Sequence, residues 1–72
     1  MTDKELLNHA YGIYLNRLEN MKRMCREKDI FCPIPTQESR EECIEDIFNQ
    51  LKSGELRFTR VGGGYKAYRN IQ

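Results

Sequence analysis

Apolar side chains recur along the first third of this chain at helical spacing. Leu7, Tyr11, Tyr14, Leu18, Met21 and Cys25 stand 4, 3, 4, 3 and 4 residues apart. This narrow stripe predicts an amphipathic helix over about residues 3–28. Leu6, Ala10, Ile13 and Leu15 widen it. Thr2-Asp3-Lys4-Glu5 has the form of a capping box, in which the Thr2 hydroxyl accepts from the Glu5 backbone N–H and the Glu5 carboxylate reaches back. Lys22, Arg23, Arg26 and Lys28 complement the negative end of the helix. Gly12, which costs about 1 kcal/mol relative to Ala in a helix interior, is expected to mark a close helix approach.

The pattern then breaks at Asp29-Ile30-Phe31-Cys32-Pro33-Ile34-Pro35. Two prolines one residue apart disfavour helix and favour an extended connection. Ile30, Phe31 and Ile34 are expected to pack across the core. A second helix is predicted over about residues 37–53, with Thr36 as its N-cap and Glu38, Glu41 and Glu42 near the positive end. Ser39-Arg40-Glu41-Glu42 offers an alternative start. Ile44, Ile47, Phe48 and Leu51 form its apolar face, with Cys43 beside them, and Gly54 suits the left-handed position after the last turn.

The rest, about residues 55–70, alternates in the manner of a β-hairpin around Gly62-Gly63-Gly64. A three-residue loop sets Val61 opposite Tyr65, Phe58 opposite Tyr68 and Arg60 opposite Lys66, so that Leu56, Phe58 and Tyr68 pack on the helices. A two-residue turn at Gly63-Gly64 instead groups Leu56, Phe58, Ala67 and Ile71 inside, with Tyr68 outside beside Arg57 and Lys66. The sequence leaves both registers open. An isolated hairpin is marginal in water, so it must lie on the helices, and its two edges stay open unless something covers them. The fold class is therefore α+β, in the order ααββ, as one small domain.

Seventy-two residues suffice for one small core, whose net contribution is about 3–5 kcal/mol. A partner or a second copy would add stability. The N-terminus is polar with no apolar run behind it, and no segment approaches a membrane span; no secretory leader and no membrane partner are expected. Three cysteines, an odd number, fit reduced thiols and a cytoplasmic location. The net charge of +1 conceals a polarised chain: residues 1–28 carry +2, residues 29–54 carry −4 and residues 55–72 carry +3. This is a local basic segment after an acidic one, and not a globally basic protein.

No constellation points to catalysis. Cys25, Cys32 and Cys43 lie at C-x6-C and C-x10-C with the single His9 and form no C-x2-C pair, so no zinc is expected. Cys25 and Cys43 read as small core residues, and Cys32 as the accessible thiol. His9 reads as a partly exposed surface residue with no nucleophile beside it. Glu41, Glu42, Glu45 and Asp46 read as a solvated acidic face. The glycine run precedes a strand and lacks the Gly-Lys-Ser/Thr ending of a phosphate loop. Neither a cofactor nor an enzymatic activity is expected.

The sharpest functional signal is the basic aromatic hairpin. Arg57, Arg60, Lys66 and Arg69, interleaved with Phe58, Tyr65 and Tyr68, could place cations on phosphates and rings against bases. Over about residues 40–70, a helix leading into a glycine-tipped basic hairpin resembles the last helix and wing of a winged-helix domain. That resemblance implies nucleic-acid contact through the hairpin. The chain departs from it in having an acidic helix where a recognition helix is basic or polar. The expected function is a small non-enzymatic interaction or regulatory module acting through protein–protein contacts. Its partner is another protein or a second copy in a homodimer, and its candidate contacts are Arg57, Arg60, Tyr65, Lys66, Tyr68 and Arg69. The alternative is a nucleic-acid-binding module using the same residues.

Overall fold

The computed structural model describes residues 2–70. The order is α1 (Asp3–Glu27), α2 (Gln37–Ser53), β1 (Leu56–Val61) and β2 (Gly64–Arg69). The ααββ arrangement is thus that expected from the sequence. Both N-caps fall where the sequence places them. Thr2 Oγ1 accepts from the Glu5 N–H at 3.3 Å, and Thr36 Oγ1 accepts from the Ser39 N–H at 3.1 Å. Thr36 rather than Ser39 therefore starts α2. That helix stops at Gly54, whose φ of 84° suits a residue without a Cβ.

The end of α1 has no glycine. Asp29 takes the left-handed conformation there, at φ 54°. The Ile30 N–H donates to the Cys25 carbonyl at 3.0 Å, and the Asp29 N–H to the Arg26 carbonyl at 3.2 Å. These are the two bonds of a Schellman motif. They satisfy carbonyls that the helix end would otherwise leave open.

The helices run antiparallel, with Lys52 near the end of α2 pairing with Asp3 at the start of α1 at 3.4 Å. Both side chains are mostly exposed, so this pair contributes under about 1 kcal/mol. The stabilising element is the core formed by Ala10, Ile13, Tyr14, Ile47, Leu51 and Leu56, with Leu6, Leu18, Ile44, Phe48, Phe58, Tyr65 and Ala67 packed around it. β2 lies on α1 and β1 on α2.

Three expectations about packing are corrected. On α1, Leu7, Tyr11 and Met21 of the predicted stripe are exposed. The buried arc runs instead through Ala10, Ile13 and Tyr14, flanked by half-buried Leu6 and Leu18. The reason is that α2 and the hairpin both press on α1, which centres burial between their two contact lines. The second correction concerns the connection: Ile30, Phe31 and Ile34 do not pack across the core, and Phe31 and Ile34 are 86% and 91% exposed. Cys32 and Pro35 turn inward in their place. Helix lengths account for part of the remaining exposure. At 1.5 Å per residue, the 25-residue α1 outruns the 17-residue α2 by about 12 Å, which leaves Met24 uncovered. Third, Cys43 is exposed, whereas Cys25 is buried as expected.

Tyr14 is 7% exposed and its hydroxyl has no hydrogen-bond partner among the described residues. A buried unsatisfied hydroxyl is destabilising. Tyr14→Phe is therefore expected to raise the unfolding free energy by about 1 kcal/mol, read from the urea midpoint at unchanged slope.

Candidate interaction surface

The hairpin adopts neither predicted register. Its turn is Gly62-Gly63, and the pairs are Leu56 with Arg69, Arg57 with Tyr68, Phe58 with Ala67, Thr59 with Lys66, Arg60 with Tyr65 and Val61 with Gly64. Gly62 has φ of 60° and is the one turn glycine in the left-handed region, as a type II′ hairpin turn requires at its first central residue. The Asn70 N–H to Glu55 carbonyl bond, 2.9 Å, extends the ladder by one more pair. Side-chain grouping follows the two-residue alternative, because moving the turn back one glycine shifts the partners but preserves which residues share a face. Tyr68 is accordingly exposed and not packed on the helices. Ile71, assigned to the inner face in that alternative, lies outside the described residues.

This register separates the six candidate contacts. Arg60 and Tyr65 lie opposite each other on the face turned toward α1. The Tyr65 hydroxyl stands 3.0 Å from His9 Nδ1, and Arg60 Nη1 donates to that hydroxyl at 3.2 Å. The oxygen has one proton; accepting from Arg60, it can donate that proton to Nδ1, which leaves the imidazole proton on Nε2. The Arg60 guanidinium also lies over the Tyr65 ring, 4.6 Å from its centroid. His9, Phe58 and Tyr65 form a three-ring cluster with centroids 4.6–5.8 Å apart, inside the range of favourable aromatic contact. Asn16 Nδ2 donates to the Tyr65 carbonyl at 2.9 Å.

Tyr65 thus anchors the hairpin to α1 through His9 and Asn16, and Arg60, itself exposed, braces the Tyr65 ring from the opposite strand. His9 is half-buried, in keeping with a partly exposed residue, and it is also part of that anchor. Gly12 does mark a close approach, but the approaching group is the Tyr65 ring and not a helix. Sequence reasoning missed Asn16, and His9 in this role. Their spacing with Gly12, 3 and 4 residues, puts all three on one helix face, but nothing in the sequence names the ring that meets them.

Arg57, Thr59, Val61, Lys66 and Tyr68 share the opposite face of the hairpin, with Arg57 beside Tyr68 and Lys66 beside Thr59. Tyr68 is 45% and Val61 60% exposed. Arg69 is exposed at the open end, across from Leu56. Glu38, Glu41, Glu42, Glu45 and Asp46 are exposed on α2. A third surface was not foreseen: exposed Leu7, Tyr11 and Leu15 along α1, and exposed Met24, Ile30, Phe31 and Ile34 where the connection leaves that helix.

A cavity of about 600 Å³ lies between the end of α1 and the connection, lined among others by Cys25, Cys32, Lys22, Arg26 and Arg40. Hydrogen bonding with Cys32, followed by burial, raises the Cys25 thiol above its ordinary range, while Lys28 opposes the shift. Among the described residues, no group of three or more His, Cys, Asp or Glu side chains converges to hold a metal ion, and no helix is long and apolar enough to cross a membrane. No protein-family model, curated protein or solved structure matches the chain.

Proposed function

We propose that this chain is a non-enzymatic interaction module that binds a protein partner. The observation that carries this reading is the display of large apolar side chains at the connection, above all Phe31 and Ile34. Clustered exposed apolar residues on a small domain mark contact sites, because leaving them in water has a cost that a partner removes. The oppositely charged α2 and outer hairpin face would then orient the partner. A second copy of the chain is one form such a partner takes, since a core this small gains from pairing.

The decisive experiment is capture from native lysate on immobilised protein, with and without nuclease, comparing wild type with the double variant Phe31→Ser, Ile34→Ser. Wild type is expected to retain a nuclease-resistant protein that the double variant loses. Because both side chains are exposed, unfolding stability should change by no more than about 0.5 kcal/mol per site. Capture that survives the double substitution would count against the reading.

The adjacency of Arg57 and Tyr68, with Lys66 on the same face, favours one second reading: nucleic-acid contact through the outer hairpin face. In that case the captured material is nuclease-sensitive and its binding weakens steeply with salt. The charge pattern is less favourable to it, because Arg60 is directed to Tyr65 and the neighbouring helix is acidic.

A further inference from the structure

Two of the three cysteines are brought together by the chain reversal after α1. Cys25 is buried in the last two turns of that helix, and Cys32 is half-buried in the connection. The left-handed Asp29 and the Ile30-to-Cys25 backbone bond fold the connection back over the helix end. Both cysteines line the same cavity, and hydrogen bonding with Cys32 is the first cause of the raised Cys25 thiol. Cys43 lies elsewhere, exposed on α2 against a separate cavity beside Tyr14 and Met21.

We propose that Cys25 and Cys32 form a thiol pair that is oxidised to an intramolecular disulfide by disulfide-bearing oxidants of the glutathione class. Cys32, the more accessible thiol, attacks the oxidant as its thiolate and forms a mixed disulfide, releasing one glutathione thiolate. Cys25 then loses its proton and displaces the second glutathione. Two thiols become one S–S bond, two electrons pass to glutathione disulfide, and the two thiol protons are carried by the two glutathione molecules released. Access favours this order, since an attacking thiolate must reach the oxidant and a resolving thiol must reach only its neighbour.

The consequence is mechanical. Phe31 directly precedes Cys32 and Ile34 follows two positions later, so the bond ties the segment that presents both to the end of α1. Reduction leaves that segment held by the two backbone bonds of the helix cap and by side-chain packing. The thiol pair is a property of the chain alone, and its test does not depend on any partner.

The test is full-length wild-type protein, dilute, equilibrated across a series of reduced-to-oxidised glutathione ratios. The samples are quenched in acid, alkylated with N-ethylmaleimide and mapped by tryptic mass spectrometry. A cross-link joining the peptide containing Cys25 to that containing Cys32 is expected, rising to most of the molecules at the oxidising end, with Cys43 left alkylated or capped by glutathione. Cys43→Ser should leave the cross-link unchanged, and Cys32→Ser should abolish it with helix content preserved by circular dichroism. Alkylation of both Cys25 and Cys32 across the whole series would overturn the proposal, as would pairing of either with Cys43.

Discussion

Ile13→Ala is expected to unfold a large part of the population at room temperature. Ile13 is 1% exposed, the most completely buried large side chain among the described residues, and sits where α1 meets both α2 and the hairpin. Truncating a buried isoleucine removes its transfer free energy and leaves a cavity, together about 2–5 kcal/mol. The whole domain has only about 3–5 kcal/mol of net stability to lose. Urea titration followed by circular dichroism should show the midpoint collapsing toward zero denaturant. Leu7→Ala is the informative comparison. The apolar spacing of α1 puts Leu7 at the head of the stripe, yet it is 48% exposed. Its truncation should cost less than about 1 kcal/mol. Equal losses at the two positions would mean that the buried arc of α1 is not the one described above.

Gly12→Ala is expected to destabilise the protein although alanine is the better helix former. Propensity alone predicts a gain of about 1 kcal/mol. A Cβ on Gly12, however, overlaps the Tyr65 ring. That ring cannot swing aside freely, because His9 and Arg60 hold its hydroxyl and Asn16 holds its backbone carbonyl. Overpacking of this kind costs about 1–3 kcal/mol beyond any propensity gain, so the net change is a loss. The sign should reverse in a Tyr65→Ala background, where the ring that the methyl overlaps is gone and the propensity gain of about 1 kcal/mol returns. A double-mutant cycle on unfolding free energies measures this coupling. Its absence would show that the ring does not lie on the helix backbone.

The two predictions locate where sequence reasoning was sufficient and where it was not. The caps were legible because they are local: Thr2, Thr36 and Gly54 act on backbone groups within four residues of themselves. The glycine-rich turn was legible for the same reason. Its placement on Gly62-Gly63 was not, since three adjacent glycines satisfy several turns equally well by themselves. The choice rests on packing. It puts Phe58 against His9 and Tyr65, and Tyr65 against Gly12, while Tyr68 remains outside.

The candidate contacts divide along the same line. As residue types, Arg57, Arg60, Tyr65, Lys66, Tyr68 and Arg69 read as one basic aromatic strip. A strand turns alternate side chains to opposite faces, and the register puts Arg60 and Tyr65 on the face toward α1, where Tyr65 is half-buried and Arg60, still exposed, bonds to its hydroxyl. Arg57, Lys66 and Tyr68 remain as an outer face. The exposure of Phe31 and Ile34 was equally hidden. Hydrophobicity in a connection predicts burial, but in this one Cys32 and Pro35 are the half-buried residues, and Phe31 and Ile34 stay exposed beside an open cavity at the end of α1.

By itself, the sequence determined the α+β class, the ααββ order, the limits of both helices to within a residue or two and the polarised charge. These follow from interactions spanning one turn of helix or one hairpin loop. Only the tertiary structure decided the hairpin register, the face of α1 that is buried, the His9–Tyr65–Arg60 anchor and the approach of Cys25 to Cys32. Each of these depends on which of several comparable surfaces meet. That choice is made by close packing between elements distant in the chain or by the path of a connection, neither of which leaves a periodic signature in the residues themselves.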